Sequence, residues 1–488
     1  MTRAGRVGGV SERKSRVGPV CRQNGQPIQS AGSTGWLRTT GASHCGHARV
    51  PVATGRSRID RRSSYDPSSR RSITMKSTAM SFSACPRLSG MSIERDIHRT
   101  FRGPVYVPGD HAYKTAGATW NGALEQRPAL IAEALGARDV QAAVVAARTH
   151  GLSFAVQATG HGTRKACEGG LLLKTSLMAE VLVDPDRRIA RVGPGASVGD
   201  VVAAAAPFGL SPVAGSHASV GVAGFTLGGG YGPLSRRHGF AADNLLRADV
   251  VTADGERLTA TADRNADLFW ALRGGGGNFG VVTGMEIRLH PLERTLSATA
   301  YFEAERAAET LAFYRGWAPT QPLGLTTSIV LGDDETFAIR AHAHGEEAAR
   351  ALRPLFDVAG PRLAFEEAVG ATAPLQFHLF RELPEIAGTT ANEIEVRYWG
   401  GAMAEGEAPV GRRDQPFSIT VNGGDDALAA QATGGSFLNF LHDTTRTATA
   451  YTPANYARLR EVKRAYDPDN VFGLGHNIAP AVAVARAA

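Results

Sequence analysis

The chain has 488 residues, 43% of them hydrophobic, which is enough for about two to four domains with buried cores. No uninterrupted apolar run approaches the ~20 residues that cross a bilayer, so we expect no membrane span. The formal net charge is +7, but residues 1–90 carry 16 Lys and Arg against three acidic residues, a net charge of +13. The remainder is therefore acidic, with a net charge of −6, which argues against a main body that binds nucleic acid.

Residues 1–95 are predicted to be a disordered basic leader or the product of a wrongly assigned start. The stretch RRSSYDPSSRRSITMK at 61–76 has no hydrophobic periodicity and is rich in Arg and Ser. Arg70-Arg71 raises the alternative of a twin-arginine export signal, but no apolar stretch follows it. A basic arm that binds nucleic acid is a second alternative. Three later methionines are possible starts: Met75, Met80 and Met91.

Cysteine use indicates a reducing compartment. Of four cysteines, only Cys167 lies in the main body, so no disulfide framework is expected there and Cys167 reads as a small buried hydrophobe. We therefore expect a cytoplasmic protein.

The ordered chain begins with an α/β pattern. RPALIAEAL at 127–135 predicts a strand, and Asp139 is expected to cap the helix that follows and that Gly151 ends. LSFAVQAT at 152–159 predicts a buried strand, which leads into the glycine loop TGHGT.

Two hairpins and two helices are predicted next. The run EVLVDPDRRIARVGPG indicates a hairpin around Asp-Pro-Asp, and Ser197 caps a helix. After the second glycine loop, RADVVTADGERLTATA indicates a hairpin that turns at Asp254-Gly255. NADLFWAL predicts a helix and VVTGMEIRLHPL a closing strand.

Residues 293–450 are predicted to form a second domain, an antiparallel sheet covered by helices. Strand-like runs (LTTSIVL, FAIRAHAHG, FSITVNG) alternate with amphipathic runs (RAAETLAFYRGWA, EEAARALRPLFDVAG). The segment 451–488 then returns to a helix that Asp-Pro stops.

Two glycine loops carry the functional signal, TGHGT at 159–163 and GSHASVGVAGFTLGGGYG at 215–232. Glycines allow backbone N–H groups to approach a phosphate closely. A classical dinucleotide fingerprint does not fit, because neither loop joins a strand to a helix within a βαβ unit with an acidic residue about 20 positions on. A metal site is not expected, since the paired His and Cys spacings are missing, and no G-x-S-x-G elbow suggests a hydrolase.

The two loops, with LFWALRGGGGNFGVVT and the closing NYARLREVKRAYDPDNVF, resemble the berberine bridge enzyme-like FAD-linked oxidases. That family has the vanillyl-alcohol oxidase, or PCMH-type, FAD-binding fold. The resemblance implies an α+β protein: an FAD domain (96–292) of two α/β subdomains, an inserted substrate domain (293–450) with an antiparallel sheet covered by helices, and a segment (451–488) that completes the FAD domain.

The resemblance also implies the cofactor site. In the family, the histidine of the first loop is joined to the 8-methyl carbon of FAD, and here this residue is His161. Many members add a second bond from a cysteine whose position is His217 here, so the chain resembles the singly attached branch. The third residue past that position governs oxygen access, and Val220, a valine, goes with oxidases. The implied cofactor-binding residues are Thr159, Gly160, Gly162, Thr163, Gly215, Ser216, His217, Val220, Gly221, Gly224, Gly228, Gly229, Val282 and Asn477.

A catalytic base is implied at Tyr451, where the family often has a tyrosine that faces the flavin. Its pKa would have to be lowered from about 10 by a cationic or donor neighbour. Packing under the helix is the alternative, and Tyr231, Tyr314 and Tyr398 are then the next tyrosines to consider.

The substrate pocket departs from the family pattern. Phe437 stands where relatives commonly have a tyrosine, and Asn439, placed on the same strand, is a candidate polar contact to substrate. The segment GGDDALAAQATGG also looks short for the expected helix.

The implied function is oxidation of a small organic or secondary-metabolite substrate (an alcohol, amine or sugar) by hydride transfer to FAD, with molecular oxygen as the acceptor. A dehydrogenase or oxidative cyclase with another acceptor, and a flavin-binding protein without turnover, stay open. The expected partners are the substrate and oxygen, with no nucleic acid or membrane, and the protein is expected to be a monomer or homodimer.

Overall fold

The computed structural model describes residues 86–120, 122, 124–332, 335–367, 376–386, 391–423 and 426–482, which all belong to the unit 81–488. Nearly all of the predicted leader, with the export-signal alternative and the possible starts Met75 and Met80, lies outside the described residues, whereas Met91 falls within the first described helix. Within them, no helix is long and apolar enough to cross a membrane.

The first described element is a helix, α1 (Pro86–Thr100), which begins inside the range 1–95 that we expected to be disordered. Ile93 and Ile97 are fully buried against the following α/β core, and Phe101 continues the same stripe. Residues four apart share one helix face, so this short apolar stripe is enough to dock α1. Helical structure therefore extends into the last part of the range whose composition predicted disorder.

The first subdomain is a four-stranded sheet in the order β1-β2-β4-β3, with β1 antiparallel and the other three strands parallel. The predicted strands at 127–135 and 152–159 are confirmed. Asp139 is not the N-cap: it lies in the first turn of α3, where its carboxylate accepts hydrogen bonds from the N–H groups of Arg102 and Leu135. The elements are β1 (Val105–Tyr106), α2 (Tyr113–Ala116), β2 (Leu130–Glu133), α3 (Ala137–Thr149), β3 (Phe154–Gln157) and β4 (Leu171–Lys174).

The second subdomain is a five-stranded antiparallel sheet in the order β5-β6-β10-β8-β9. Both predicted hairpins and the closing strand are confirmed, and Ser197 caps α4 in a reciprocal capping box with Asp200. The elements are β5 (Val181–Asp184), β6 (Ile189–Val192), α4 (Val198–Ala205), β7 (Leu210–Ser211), α5 (Val222–Leu227), α6 (Ser235–His238), β8 (Leu245–Val251), β9 (Arg257–Ala260), α7 (Ala266–Leu272), β10 (Val281–Arg288) and β11 (His290–Pro291), which pairs with β7.

The third sheet has seven antiparallel strands in the order β15-β12-β14-β13-β17-β18-β16. Its helices cover one face, where Tyr314 and Trp317 join the core, and the fold class predicted from the sequence is confirmed. The elements are β12 (Thr295–Glu303), α8 (Ala307–Trp317), β13 (Leu325–Leu331), β14 (Thr336–His344), α9 (Glu346–Ala351), α10 (Arg353–Ala359), β15 (Ala364–Glu366), β16 (Gln376–Phe380), β17 (Glu393–Tyr398), β18 (Phe417–Asn422) and α11 (Asp426–Gln431).

The last helix, α12 (Pro453–Tyr466), returns the chain to the second subdomain. Lys463 and Asp467 form a fully buried ion pair, and the Lys463 ammonium also donates to the Asn278 carbonyl at 2.8 Å. The Asn278 side chain in turn donates to the His476 carbonyl and accepts from the Ile478 N–H. The segment after the third sheet is thus locked to the glycine-rich turn that precedes β10.

Candidate functional site

The first glycine loop leaves the end of β3 and carries His161. Gly160 has φ +82°, and a Cβ there would lie 3.0 Å from the Trp120 amide nitrogen, so the position requires glycine. The indole of Trp120 stacks on the His161 ring, with 4.1 Å between centroids and 24° between planes. The loop therefore presents His161 with one ring face covered.

The environment of His161 favours a neutral imidazole. Its Nε2 lies 3.0 Å from the hydroxyl oxygen of Ser219, in the second glycine loop. Partial burial, and then the nearby His217, lower the pKa of His161 below its ordinary value of 6.5. A neutral ring nitrogen with a lone pair is the form that can act as a nucleophile.

The second glycine loop lies directly against the first. The Gly221 N–H donates to the Thr159 hydroxyl at 3.0 Å, and Gly221 is the N-cap of α5. His217 is exposed on this loop, and its ring centroid lies 6.3 Å from that of Trp120. The two histidine-bearing loops therefore form a single site between the subdomains.

Space and unpartnered polar atoms mark where a cofactor would lie. A Cβ placed on Gly162, in the first loop, or on Gly224, in α5, would meet no atom within 4 Å. The Asn477 Oδ1 and His476 Nδ1 atoms are buried without a hydrogen-bond partner. Burial, and then the charge of Arg164 in the first loop, lower the pKa of His476 to about 4, so this ring is neutral. These features fit a polar cofactor held between the loops and the C-terminal segment.

The predicted cofactor-binding residues fall in four places. The first loop holds Thr159, Gly160, Gly162 and Thr163; the second loop and the start of α5 hold Gly215, Ser216, His217, Val220, Gly221 and Gly224; Val282 is buried in β10; and Asn477 lies in the C-terminal segment.

Gly228 and Gly229, which the resemblance implies as cofactor-binding residues, are closely packed against two side chains of a distant segment. A Cβ on Gly228 would lie 2.4 Å from the Asn439 amide nitrogen, and one on Gly229 would lie 2.7 Å from the Phe437 ring. Close packing against these two side chains therefore explains both glycines.

Asn439 holds the second loop in place. Its Oδ1 accepts a hydrogen bond from the Gly230 N–H at 2.8 Å. It lies in a 3-10 turn (Leu438–Phe440), not on the strand that we expected. The side chain that we predicted to contact substrate is thus engaged with the protein backbone.

An aromatic cluster joins the glycine loop to the third sheet. Phe437 is fully buried, and Trp399, at the end of β17, stacks on Tyr231 with 5.0 Å between centroids. The other members of the cluster are Phe240, Phe377 and Phe440. The position where relatives have a tyrosine therefore belongs to a packed apolar wall.

The sheet face beside this wall carries a buried charge cluster that we did not predict. Glu395 and Arg397, two apart on β17, point to the same face, and Arg340 on β14 joins them. Burial alone would raise the pKa of Glu395, but Arg397, Ser328 and Arg340 lower it below its usual value. The alternation in EIEVRYW, with charges at every second position, was the signal that could have identified this face.

Tyr451, the residue that the resemblance implies as the catalytic base, is buried in the structure. Its side chain is 1% exposed, and its hydroxyl donates to the Gly274 carbonyl at 3.0 Å. Burial, and then Tyr456, raise its pKa above the ordinary value of 10, whereas the predicted role needs a lowered one. Burial also raises the pKa of the alternatives Tyr231 and Tyr314, the latter to about 12. This geometry favours the packing alternative, and a base role for Tyr451 stays a prediction.

We expect Tyr451→Phe to change stability more than chemistry. The substitution keeps the ring and removes one buried hydrogen bond, so urea unfolding should show a loss of about 1 kcal/mol. Anaerobic flavin reduction should stay within about twofold of the parent. A base role predicts instead that reduction slows by about 10² to 10⁴, and that result would restore Tyr451 to the mechanism. Tyr466→Phe, at a partly exposed phenol bonded to Asp267, is the matched control.

Cys167 is confirmed as a small buried hydrophobe, fully buried beside Ile131 and Leu172. Burial raises its pKa to about 11, so the thiol is not a nucleophile at neutral pH. Among the described residues, no three His, Cys, Asp or Glu side chains are grouped as metal ligands would be.

Comparison with known proteins supports this site. A family model described as an FAD binding domain matches residues 128–261, and one described as berberine and berberine like matches 436–479. (R)-6-hydroxynicotine oxidase of Paenarthrobacter nicotinovorans is 30% identical over 450 residues, which are 78% of this chain and 97% of the relative.

Solved structures show the same fold. The crystal structure of 6-hydroxy-D-nicotine oxidase from Arthrobacter nicotinovorans matches with a TM-score of 0.68 and 27% identity, covering 78% of this chain and 99% of that one. Xylooligosaccharide oxidase from Myceliophthora thermophila matches with a TM-score of 0.68 and 22% identity, covering 80% and 100%. Fold and site thus define an FAD-binding oxidoreductase. The chain belongs to the berberine bridge enzyme-like family of FAD-linked oxidases.

Proposed function

We propose that this protein oxidises a small organic substrate, an alcohol, amine or sugar, with FAD attached through His161 and molecular oxygen as the electron acceptor. When bound, FAD supplies the chemistry: it takes a hydride from a substrate carbon and passes the electrons to oxygen, which becomes hydrogen peroxide. The names of the relatives, which include a hydroxynicotine oxidase and a xylooligosaccharide oxidase, support a small-molecule substrate.

The observation that carries the proposal is the position of His161 where the two glycine loops meet. The neutral ring is oriented by Ser219 and stacked against Trp120. A single nucleophilic side chain is therefore held at the open junction of the loops, with its neighbour His217 exposed rather than bonded. This arrangement supports one covalent attachment, through His161.

The other residues orient the substrate and exclude water. The wall around Phe437 and Trp399 closes one side of the site, and the charged face of β17 lies beside it. Val220 is partly buried at the end of the second loop, where its carbonyl accepts from the Val198 N–H. A valine here supports oxygen as the acceptor over a dehydrogenase, the second candidate.

The test is anaerobic titration of the purified yellow protein with a panel of sugars, alcohols, amines and phenolics, followed by rapid mixing with air. An oxidase bleaches with its substrate and recovers its yellow colour at once, with peroxide formed. Slow recovery would indicate a dehydrogenase. A flavin that no compound bleaches would favour a binding protein without turnover.

A further inference from the structure

Four polar side-chain atoms on two neighbouring strands of the third sheet are buried without a hydrogen-bond partner. They are the Arg397 Nη1, the Trp399 Nε1, the Ser418 Oγ and the Thr420 Oγ1. An unsatisfied buried polar group costs about 1–3 kcal/mol, and more when it is charged. Thirteen such side-chain atoms occur among the described residues, and these four are clustered on one surface. Four together on one surface indicate that something else completes their hydrogen bonds.

All four atoms belong to one face of the sheet. Arg397 lies directly opposite Ser418 in the β17–β18 pair, and Glu395 lies opposite Thr420. Side chains of directly paired residues project from the same face, and residues two apart on a strand do so as well. Trp399, two residues after Arg397, continues this row.

This face points toward the cofactor side of the molecule. The Arg397 guanidinium lies 5.9 Å from the ring centroid of Tyr231, near the end of the second glycine loop, and 6.0 Å from that of Phe440. Phe440 is next to Asn439, the residue that bonds the Gly230 backbone. The unpartnered atoms therefore lie beside the aromatic rings that pack on the Gly230–Tyr231 end of the second glycine loop.

Glu395 cannot satisfy this row of donors, because both of its oxygens are already engaged. One oxygen accepts from the Ser328 hydroxyl at 2.6 Å and from the Arg397 Nε at 3.1 Å. The other accepts from Arg340 at 3.2 Å and from the Arg397 Nη2 at 2.5 Å. The Glu395 carboxylate pairs with two guanidinium groups, those of Arg340 and Arg397, so it neutralises the charge of Arg397 only in part. The Arg397 Nη1 can therefore donate a hydrogen bond to another acceptor.

We propose that Arg397, with the hydroxyls of Ser418 and Thr420, binds the carboxylate of a small organic acid that also carries the alcohol or amine group to be oxidised, and that such acids are the substrate class of this enzyme. A guanidinium group and hydroxyls are the donors that recognise a carboxylate, and burial strengthens such charge-assisted hydrogen bonds. The flanking rings of Tyr231, Trp399 and Phe440 favour a flat, aromatic body for that acid. This inference rests on the proposed function, since the bound acid has to lie beside the FAD.

Benzoate and its neutral isostere benzamide test the proposal on the full-length holoenzyme. Binding is followed by the change in the visible absorbance of the oxidised flavin and, independently, by calorimetry, which needs no flavin. We expect saturable binding of benzoate, about tenfold or more tighter than that of benzamide. Arg397→Gln should weaken benzoate binding by about 10- to 100-fold and leave benzamide binding unchanged.

Two further variants guard against a folding defect in Arg397→Gln. Ser418→Ala and Thr420→Ala remove only an unpartnered hydroxyl, and each should weaken benzoate binding by about three- to tenfold. Arg381→Gln, at an arginine whose side chain is 68% exposed on the same domain, is the matched control and should bind benzoate as the parent does.

Equal binding of benzoate and benzamide would overturn the proposal, and so would parental benzoate binding in the two hydroxyl variants. Either result would indicate that water fills this face. If the parent protein carries no flavin, the proposed function is refuted. Calorimetry would still compare the binding of benzoate with that of benzamide, and would therefore still test the carboxylate site.

Discussion

His161→Ala is expected to yield a protein from which acid precipitation releases all flavin, whereas the parent keeps its yellow colour in the pellet. The covalent fraction should fall from nearly complete to none, because no other nucleophile among the described residues is held at the junction of the two loops in the same way. In-gel flavin fluorescence after denaturing electrophoresis measures this fraction directly.

The matched control for this change is His217→Ala. His217 is exposed, and its contribution to His161 is electrostatic: its charge helps to lower the pKa of the His161 ring. His217→Ala should therefore retain one covalent attachment. If covalent flavin persists in the His161 variant and disappears in the His217 variant, then His217, and not His161, is the residue that attaches the flavin.

Local chemistry made the FAD domain predictable from the sequence. The hairpin at Asp254-Gly255 follows from a glycine at φ +85°, and the capping box at Ser197 follows from side chains three residues apart. Each signal acts within a few residues, so the sequence displays it directly. The two glycine loops were also identified from local motifs, and the family resemblance indicated that the two motifs belong to one cofactor site.

The features that were missed depend on distant partners. The apolar stripe of α1 is short, and it stabilises the helix only because it packs against the apolar face of α3. Trp120 has no motif of its own, and its stacking on His161 exists only in the folded chain. Composition and periodicity cannot report such contacts, because the two partners lie far apart in the sequence.

Tyr451 shows where a resemblance goes beyond its evidence. Tyr451 joins the core that contains Ala450 and Leu459. The role depended on a pKa, and the pKa depends on neighbours that the motif does not specify. Burial, and then Tyr456, raise the pKa of Tyr451 in the structure, which is the direction opposite to the one that a base needs.

The second large effect is expected at the buried ion pair of α12. Asp467 accepts hydrogen bonds from Lys463 and from the N–H groups of Val471 and Phe472, and both charged side chains are 0% exposed. Asp467→Ala would leave the Lys463 ammonium buried without its counter-charge, a situation that typically costs about 3–5 kcal/mol. Burial already lowers the pKa of Lys463, and the loss of Asp467 would lower it further.

Urea unfolding, followed by tryptophan fluorescence, measures this cost against a control on the same helix. Glu461→Ala breaks the exposed Glu461–Arg464 pair, whose side chains are 57% and 50% exposed, and should change stability by no more than about 1 kcal/mol. The double variant Lys463→Met/Asp467→Leu removes both charges together and should recover much of the loss.

Because Lys463 also bonds the Asn278 carbonyl, the Asp467 variant should in addition incorporate flavin more slowly, as the segment that carries Asn477 loosens. Equal stability of the Asp467 and Glu461 variants would show that this pair does not hold the C-terminal segment against the cofactor domain.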